Sequence, residues 1–467
     1  MRTVLKRTSN QTRGLADYAC NFIKRGRPSE EAIHRAKLFH TDAIMGGVVA
    51  LAMKTSLPTV LKHEAVTAQN SFLSLRLKAR CLGSRLLSDE IRASVANSAA
   101  CLEWSPCPFT FPVAIGSSFF NSRIDGYSAL KAMVLLEEIE VALGSALPNL
   151  DESIRTALAA GLVFGALHNA PADKIEEGLG IFLSNYAAPG PGRPPRASLS
   201  LEAALMSVRR AMDDFRGPCD ALRKFEPKDI DLANSGADFA IMKRDFWLGS
   251  NDFRAVGVVQ ALVELLLGEL VLQHEKFEQI EEIFVQLGPD DRLDQPGFST
   301  RRQASESLEF SLARALHKAI SIGDLMAGVS GPPDMWAKLV LNPRDFSKDS
   351  LTDPVTLDLA SKIRISRGPS AKLSLKANDK LFEASIPEHP PGHHLNSTCQ
   401  LERMLKIKWE KYVNVAIVPG DAERFLKSLQ SLDSAKNSAV QQLYSCKIHY
   451  ADESIDGIRT RSDFGAE

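Results

Sequence analysis

The chain has 467 residues, with 56 Lys and Arg against 57 Asp and Glu, a formal net charge of −1, and no long run of either sign. That balance excludes a polycationic footprint for nucleic acid or a membrane surface. With 44% hydrophobic and 24% charged residues, the composition is that of a folded globular protein, and the length supplies two or three domains' worth of core.

Seven cysteines (Cys20, Cys81, Cys101, Cys107, Cys219, Cys399 and Cys446) are odd in number, scattered and without a CxxC pair. They predict neither a disulfide framework nor a zinc ribbon, and they fit a reducing, cytoplasmic compartment. The N-terminal MRTVLKRTSNQTR has no acid before Asp17 and a faint transit-peptide character. It lacks the apolar core of a secretory signal, so it is read as an ordinary terminus, with mitochondrial targeting as the lesser alternative.

In chain order the first half is helix after helix. SEEAIHRAKLFHTDAIMGGVVALA opens on Ser29 as N-cap, with Glu30 and Glu31 at the positive end of the helix dipole. SALKAMVLLEEIEVALGSAL sets Leu130, Met133, Leu136, Ile139 and Leu143 at helical spacing. SIRTALAAGLVFGALHNA carries Gly161 and Gly165, which permit close approach of a neighbouring helix. ADKIEEGLGIFLSNYA has Asp173 and Glu176 in capping-box spacing. APGPGRPPRAS then breaks the pattern with a stiff, extended connection holding Arg193 and Arg196.

GVVQALVELLLGELVLQH from Gly257 is interrupted by Glu264 and Glu269, too short between charges to span a bilayer, and predicts a buried core helix. Beyond it the texture changes. EEIFVQLG, KIRISR and AKLSLKANDKLFEASIPE read as strands, the last as a hairpin turning at Asn378-Asp379. Asp353 and Pro354 open a helix as N-cap and first residue. The predicted fold is mainly α: a multilayer helical domain over residues 1–274, rejoined by 421–467, and a smaller α+β lid over 275–420.

No P-loop, no GxGxxG after a strand, no HExxH and no GxSxG occurs. His393-His394 in EHPPGHHLN is the one adjacent pair among ten histidines. Side chains of neighbours on an extended segment point apart, so the pair predicts loop support rather than metal ligation.

Taken together, LADYACNFI, RAKLFHTDAIMGGVVA, ANSAACLEW, CPFTFPVAIG, DGYSALKAMVLLEEIEVALG, ADKIEEGLGIFLSNYA, DFAIMKRDFWLGSNDF, LTDPVTLDLASKIRI and PPGHHLN follow a recognisable order. From about Thr12 to about Tyr412 the chain resembles the MmgE/PrpD family, which includes 2-methylcitrate dehydratase and cis-aconitate decarboxylase. The resemblance implies a helical domain with an α+β lid, a cleft between them, a homodimer, a small-molecule substrate and neither metal nor organic cofactor. The chemistry it implies is proton abstraction beside a carboxylate followed by loss of water or carbon dioxide, which needs cations and a base near neutral pH.

At the corresponding positions this chain departs from the pattern. Glu103 is the nearest acid at the end of its small-residue helix, and Cys107-Pro108 stands where the family has His-Pro. Two further family histidines fall near Leu150 and Asp151 and near Phe253. The family lysine matches Arg196, which keeps a positive charge and gains a planar fork but cannot act as a base. A positioned acid–base group contributes about a hundred- to ten-thousand-fold, so losing three histidines together argues against ordinary turnover. Between His63 and His168 no histidine occurs, and His168 itself is read as a helix-end residue.

Trp104, Phe109, Phe111, Trp247 and Phe253 would then wall an apolar cleft that Cys107 and Asp151 also line, with Glu103, Arg196 and Lys243 as polar anchors. Glu103 and Arg196 are the candidate catalytic pair. Three readings follow: a repurposed lyase or isomerase of specialised metabolism, a cyclase that works by positioning; the family's ordinary dehydratase or decarboxylase activity on a small tricarboxylate; and a non-catalytic scaffold with a degenerate active site. On the first, Arg196→Ala should lower product formation in the native host more than Cys107→Ala does. The reverse order would remove Arg196 from the site.

Overall fold

Short polar side chains set the helix starts. The first helix, α1 (Gln11–Arg25), begins where Asn10 accepts from the Arg13 amide, and α2 (Glu30–Ala52) begins where Ser29 accepts from Ala32. The computed structural model describes residues 3–67, 78–104, 110–187, 197–232, 245–246, 248–250, 252–268, 280–289, 291, 297–322, 325–377 and 379–456. The chain is mainly helical with small sheets. Two units form: one from residues up to Arg244 with Ala416–Tyr450, the other from Asp245–Val415 with the stretch from Ala451.

In the first unit α3 (Ser56–Thr67), α4 (Glu90–Glu103), α5 (Pro112–Gly116), α6 (Gly126–Ala146), α7 (Glu152–Leu167), α8 (Ala172–Tyr186) and α9 (Ala197–Met212) follow. Short antiparallel ribbons join β1 (Thr3–Leu5) to a distant strand and β2 (Lys78–Arg80) to β3 (Leu87–Asp89). The partner of β1 is β4 (Ile230–Leu232). Helices α7 and α8 both pack on α9, and glycines make this possible. A methyl added at Gly178 would stand 2.5 Å from the Val208 Cα, and one at Gly165 would meet Ile175 and Val208. Helix interiors lose about 0.8–1.0 kcal/mol for each Gly in place of Ala; here the close approach recovers it through packing.

Asp173 and Glu176 do not form the predicted capping box. Helix α8 starts two residues earlier, after Pro171, without a side-chain cap. Glu176 is instead buried and accepts from Asn10 Nδ2 at 2.6 Å and from the Asp220 amide at 2.9 Å. A buried carboxylate needs such donors more than the helix needs a cap.

The second unit holds α10 (Phe253–Leu267), β5 (Ile280–Leu287), α11 (Arg301–Ser305), α12 (Leu308–Ser321), α13 (Pro332–Leu339), α14 (Lys348–Leu351), α15 (Pro354–Ser361), β6 (Ile363–Arg367), β7 (Lys372–Ala377), β8 (Lys380–Ser385) and α16 (Thr398–Lys408). The sheet order is β6-β5-β7-β8, with β5 and β6 parallel and the other pairs antiparallel. Parallel pairing requires a long crossover, which α11 to α15 supply. The β7–β8 hairpin closes with Ala377 paired to Lys380 and Asp379 at φ +57°; Asn378 lies outside the described residues. Ile283, Val285, Leu287, Leu373, Leu375 and Phe382 are buried, and α10 packs on β7 and β8. The sequence assigned α10 to the helical domain; its contacts with the hairpin, α12 and α13 move the boundary from 274/275 to 244/245.

The chain then returns to the first unit through α17 (Pro419–Gln430) and α18 (Asn437–Gln442). Among the described residues no single helix is long and apolar enough to cross a membrane. The return is tightly docked: the Gly126 amide donates to the Ala435 carbonyl at 2.7 Å, and a Cβ at position 126 would collide with the Leu432 carbonyl oxygen. Overpacking of this kind costs about 1–3 kcal/mol. Gly126→Ala should therefore lower stability by about that amount in urea unfolding, and an unchanged midpoint would show that the return is loosely held.

Candidate functional site

Glu103 ends α4 and is half-buried, Trp104 follows as the residue that closes the helix, and Phe111 precedes α5. Trp104 and Phe111 are 1% and 0% exposed. Such burial is that of core side chains, not of the walls of an open cleft. Asp151 is the N-cap of α7, its Oδ1 accepting from the Ser153 amide at 2.9 Å, so one carboxylate oxygen predicted to line the cleft is engaged by its own helix. Phe253 begins α10, and its side chain lies outside the described residues, as do Cys107, Phe109, Arg196, Lys243 and Trp247. Beside Phe253, Asp252 caps α10 through the Arg254 amide and pairs with the Arg254 guanidinium, Nη2 to Oδ2 at 2.7 Å. That hydrogen bond holds the guanidinium pKa above its ordinary value.

The first unit buries an acid–base pair that sequence reasoning missed. His168 Nε2 and Glu90 Oε1 are 2.8 Å apart, with both side chains nearly sealed from solvent. The His168 ring lies against Phe120 and Phe164, each with its centroid 4.2 Å away. Arg209 reaches Asp89 at 2.8 Å and Glu90 at 3.8 Å. Asp89 serves twice, since its Oδ1 also caps α4 through the Ile91 and Arg92 amides. The only sequence signal was the acid pair Asp89-Glu90 opening a small-residue helix; its partner, 78 residues on, was not legible. His168 stands at the C-terminal end of α7, as the helix-end reading expected. The pair joins α4 to α7, and Arg209 ties α9 to both acids.

Another buried histidine is equally committed. His40, fully buried on α2, meets the Tyr444 hydroxyl through Nε2 at 3.0 Å. Burial lowers its pKa to about 3 and pushes the Tyr444 hydroxyl well above its ordinary value. A surface cleft of about 370 Å³ is lined by Leu61, Glu64, Ala65, Thr67, Arg92, Val95 and Glu202. Arg92 and Glu103 are eleven residues apart on α4, about 16 Å along the axis at 1.5 Å per residue. The cleft therefore belongs to the opposite end of α4 from the predicted anchor.

In the second unit the structure corrects the histidine pair. Residues 390–396 form tight turns, with the His393 amide donating to Pro390 and the Asn396 amide to His393. Gly392 at φ +82° opens the bend. On a turn adjacent side chains need not alternate, and the His393 and His394 rings stack at 4.2 Å. Asp245 joins them: its Oδ1 accepts from the His394 amide at 2.9 Å and lies 2.8 Å from His394 Nδ1. Donor atoms of Asp245, His393 and His394 all lie within 4.8 Å of one another. Among the described residues these three side chains could hold a metal ion.

The chain matches no protein-family model and no curated protein.

His40 supplies a pH test. Its folded pKa lies below the unfolded value of about 6.5, so the stability it contributes is complete above pH 6.5 and is lost as pH falls toward 3. Between pH 7 and pH 5 that linkage amounts to about 2 kcal/mol. Urea unfolding of the wild type should show this loss, and His40→Phe should lose about 2 kcal/mol less over the same interval. Equal slopes would mean that His40 takes up a proton in the folded state.

Proposed function

We propose that the chain is an MmgE/PrpD-like enzyme of lyase or isomerase type, a cyclase that positions an apolar, carboxylate-bearing substrate without a histidine base. The observation that carries this reading is the commitment of the helical unit's buried histidines. His40 is bonded to Tyr444 and His168 to Glu90, while Asp151, near one of the family's histidine positions, caps a helix. A reaction driven by conformation tolerates that loss, because positioning alone contributes about 7–11 kcal/mol in the best intramolecular cases. The order of segments, a helical unit interrupted by an α+β unit and completed by the C-terminal return, supports the same family reading. Glu103, half-buried at the end of α4, is the acid that would orient a substrate on this reading, and Arg196 is the matching cation.

A second reading, the non-catalytic scaffold, draws on a different observation: Trp104 and Phe111 are withdrawn into the core. Metabolite mass spectrometry of the native host with and without the gene separates these readings. A cyclase predicts that a precursor of the same mass as the missing product accumulates. A precursor heavier by one water or one carbon dioxide would replace cyclisation with elimination, and identical profiles would leave the scaffold. Glu103→Gln, made in the intact host, should reduce the product at least tenfold if that carboxylate touches substrate.

A further inference from the structure

The turn that carries His393 and His394 is built more closely than loop support requires. Three side chains from two separated segments, Asp245 on one and His393 and His394 on the other, converge while remaining half-buried. The side chains of His394 and Asp245 are 19% and 22% exposed, so the cluster is shielded yet within reach of an ion. A third histidine, His389, stacks on His393 with centroids 4.7 Å apart. The Leu395 amide donates to His393 Nδ1 at 3.1 Å, a bond that ligation through either nitrogen of that ring replaces.

We propose that Asp245, His393 and His394 form a binding site for one divalent first-row transition-metal ion, of which Zn²⁺ is the probe. Two imidazoles and one carboxylate suit zinc, iron, nickel and copper in chemical type, and they do not suit magnesium or calcium, which take oxygen donors. Spacing agrees with ligation. Adjacent ligands held about 2.0–2.1 Å from an ion are about 2.9–3.4 Å apart at angles between 90° and 109°, and Asp245 Oδ1 and His394 Nδ1 are already 2.8 Å apart. The ion takes the place of the proton those two atoms share, and the His394 ring stays neutral by carrying its proton on Nε2. In a tetrahedral zinc site ligands stand about 3.4 Å apart, so a donor as far as 4.8 Å from another closes in by about 1.5 Å through side-chain rotation.

A neutral imidazole is the form that binds metal. Three protein ligands leave positions for water, which is the pattern of an open site rather than a closed structural one. His389 buttresses His393 from the side and is not among the converging donors.

The test uses the full-length protein, dialysed against chelator and titrated with Zn²⁺ in competition with a chromophoric chelator. One ion should bind per chain. His394→Ala and His393→Ala should each weaken binding at least a hundredfold, and Asp245→Asn at least tenfold. His449→Ala, an exposed histidine of the other unit, should leave it unchanged. Thermal melts of the metal-free variants separate lost ligation from lost folding, and X-ray absorption on the zinc-loaded wild type does not depend on any variant. That spectrum should report two imidazoles with oxygen ligands. The proposal fails if binding is not saturable near one equivalent, if the folded variants bind as the wild type does, or if the spectrum shows sulfur ligands from the exposed Cys219 or Cys399.

Discussion

The contact between His40 and Tyr444, 3.0 Å across 404 residues of chain, states the constraint on which the helical unit depends: its core is closed by the last part of the chain. Helix α2 is buried along nearly its whole length after Glu31, which a helix can accept only if every side is covered. The returning stretch supplies part of that cover. Asn437 Nδ2 donates to the carbonyls of Ser118 and Ile124 at 2.9 and 2.8 Å, and Lys37 pairs with Asp433 at 3.0 Å. Residues 245–415 are thus an insertion in the sequence of a unit whose two halves must find each other, a long-range closure that costs chain entropy before its contacts form.

The same demand for coverage explains the fate of the chemically active side chains. Glu90, His168 and Arg209 carry charge or can acquire it, and each is drawn into one buried network, in which Glu90 Oε2 and Arg209 Nη2 face each other at 3.8 Å without a hydrogen bond. Taking one member away would leave the others buried without compensation, which is why such networks hold structure firmly while contributing little net stability over apolar packing. Trp104 and Phe111 follow the opposite path: large apolar surfaces that gain about 25 cal/mol for each Å² withdrawn from water, and so lie inside where a cleft wall was expected. The Cys446 thiol tells a similar story, with burial pushing it up to about 12, far from a reactive thiolate.

In the α+β unit the governing element is the turn. Gly392 adopts a left-handed conformation where a Cβ would press on the Leu248 side chain, and the Phe246 amide donates to the Gly392 carbonyl at 2.9 Å. These contacts bring the segment after Asp245 alongside the segment before α16. The carboxylate of Asp245 then accepts from the backbone and side chain of His394 together. A loop fixed by its backbone presents side chains in a definite geometry, which is what a metal-binding site requires of its supporting structure.

Periodicity and short-range chemistry were sufficient for much of this. The helices opened by Ser29 and Asp353, the strand character of residues 280–287 and 363–367, the hairpin of β7 and β8 and the mainly helical class all depend on neighbours within a few residues, and such signals survive in one dimension. The glycines of α7 announced a close helix contact without naming Val208 as its partner. What sequence alone could not supply were relations between distant residues: Glu176 turned from capping to receiving Asn10 and Asp220, Glu90 paired with His168, α10 joined the hairpin, and His393 and His394 met Asp245. Local sequence determined which elements form, because hydrogen bonds and side-chain propensities act over a single turn of backbone. Only the tertiary structure decided which polar groups share a site, because burial forces each charge to take whatever partner the fold brings within reach.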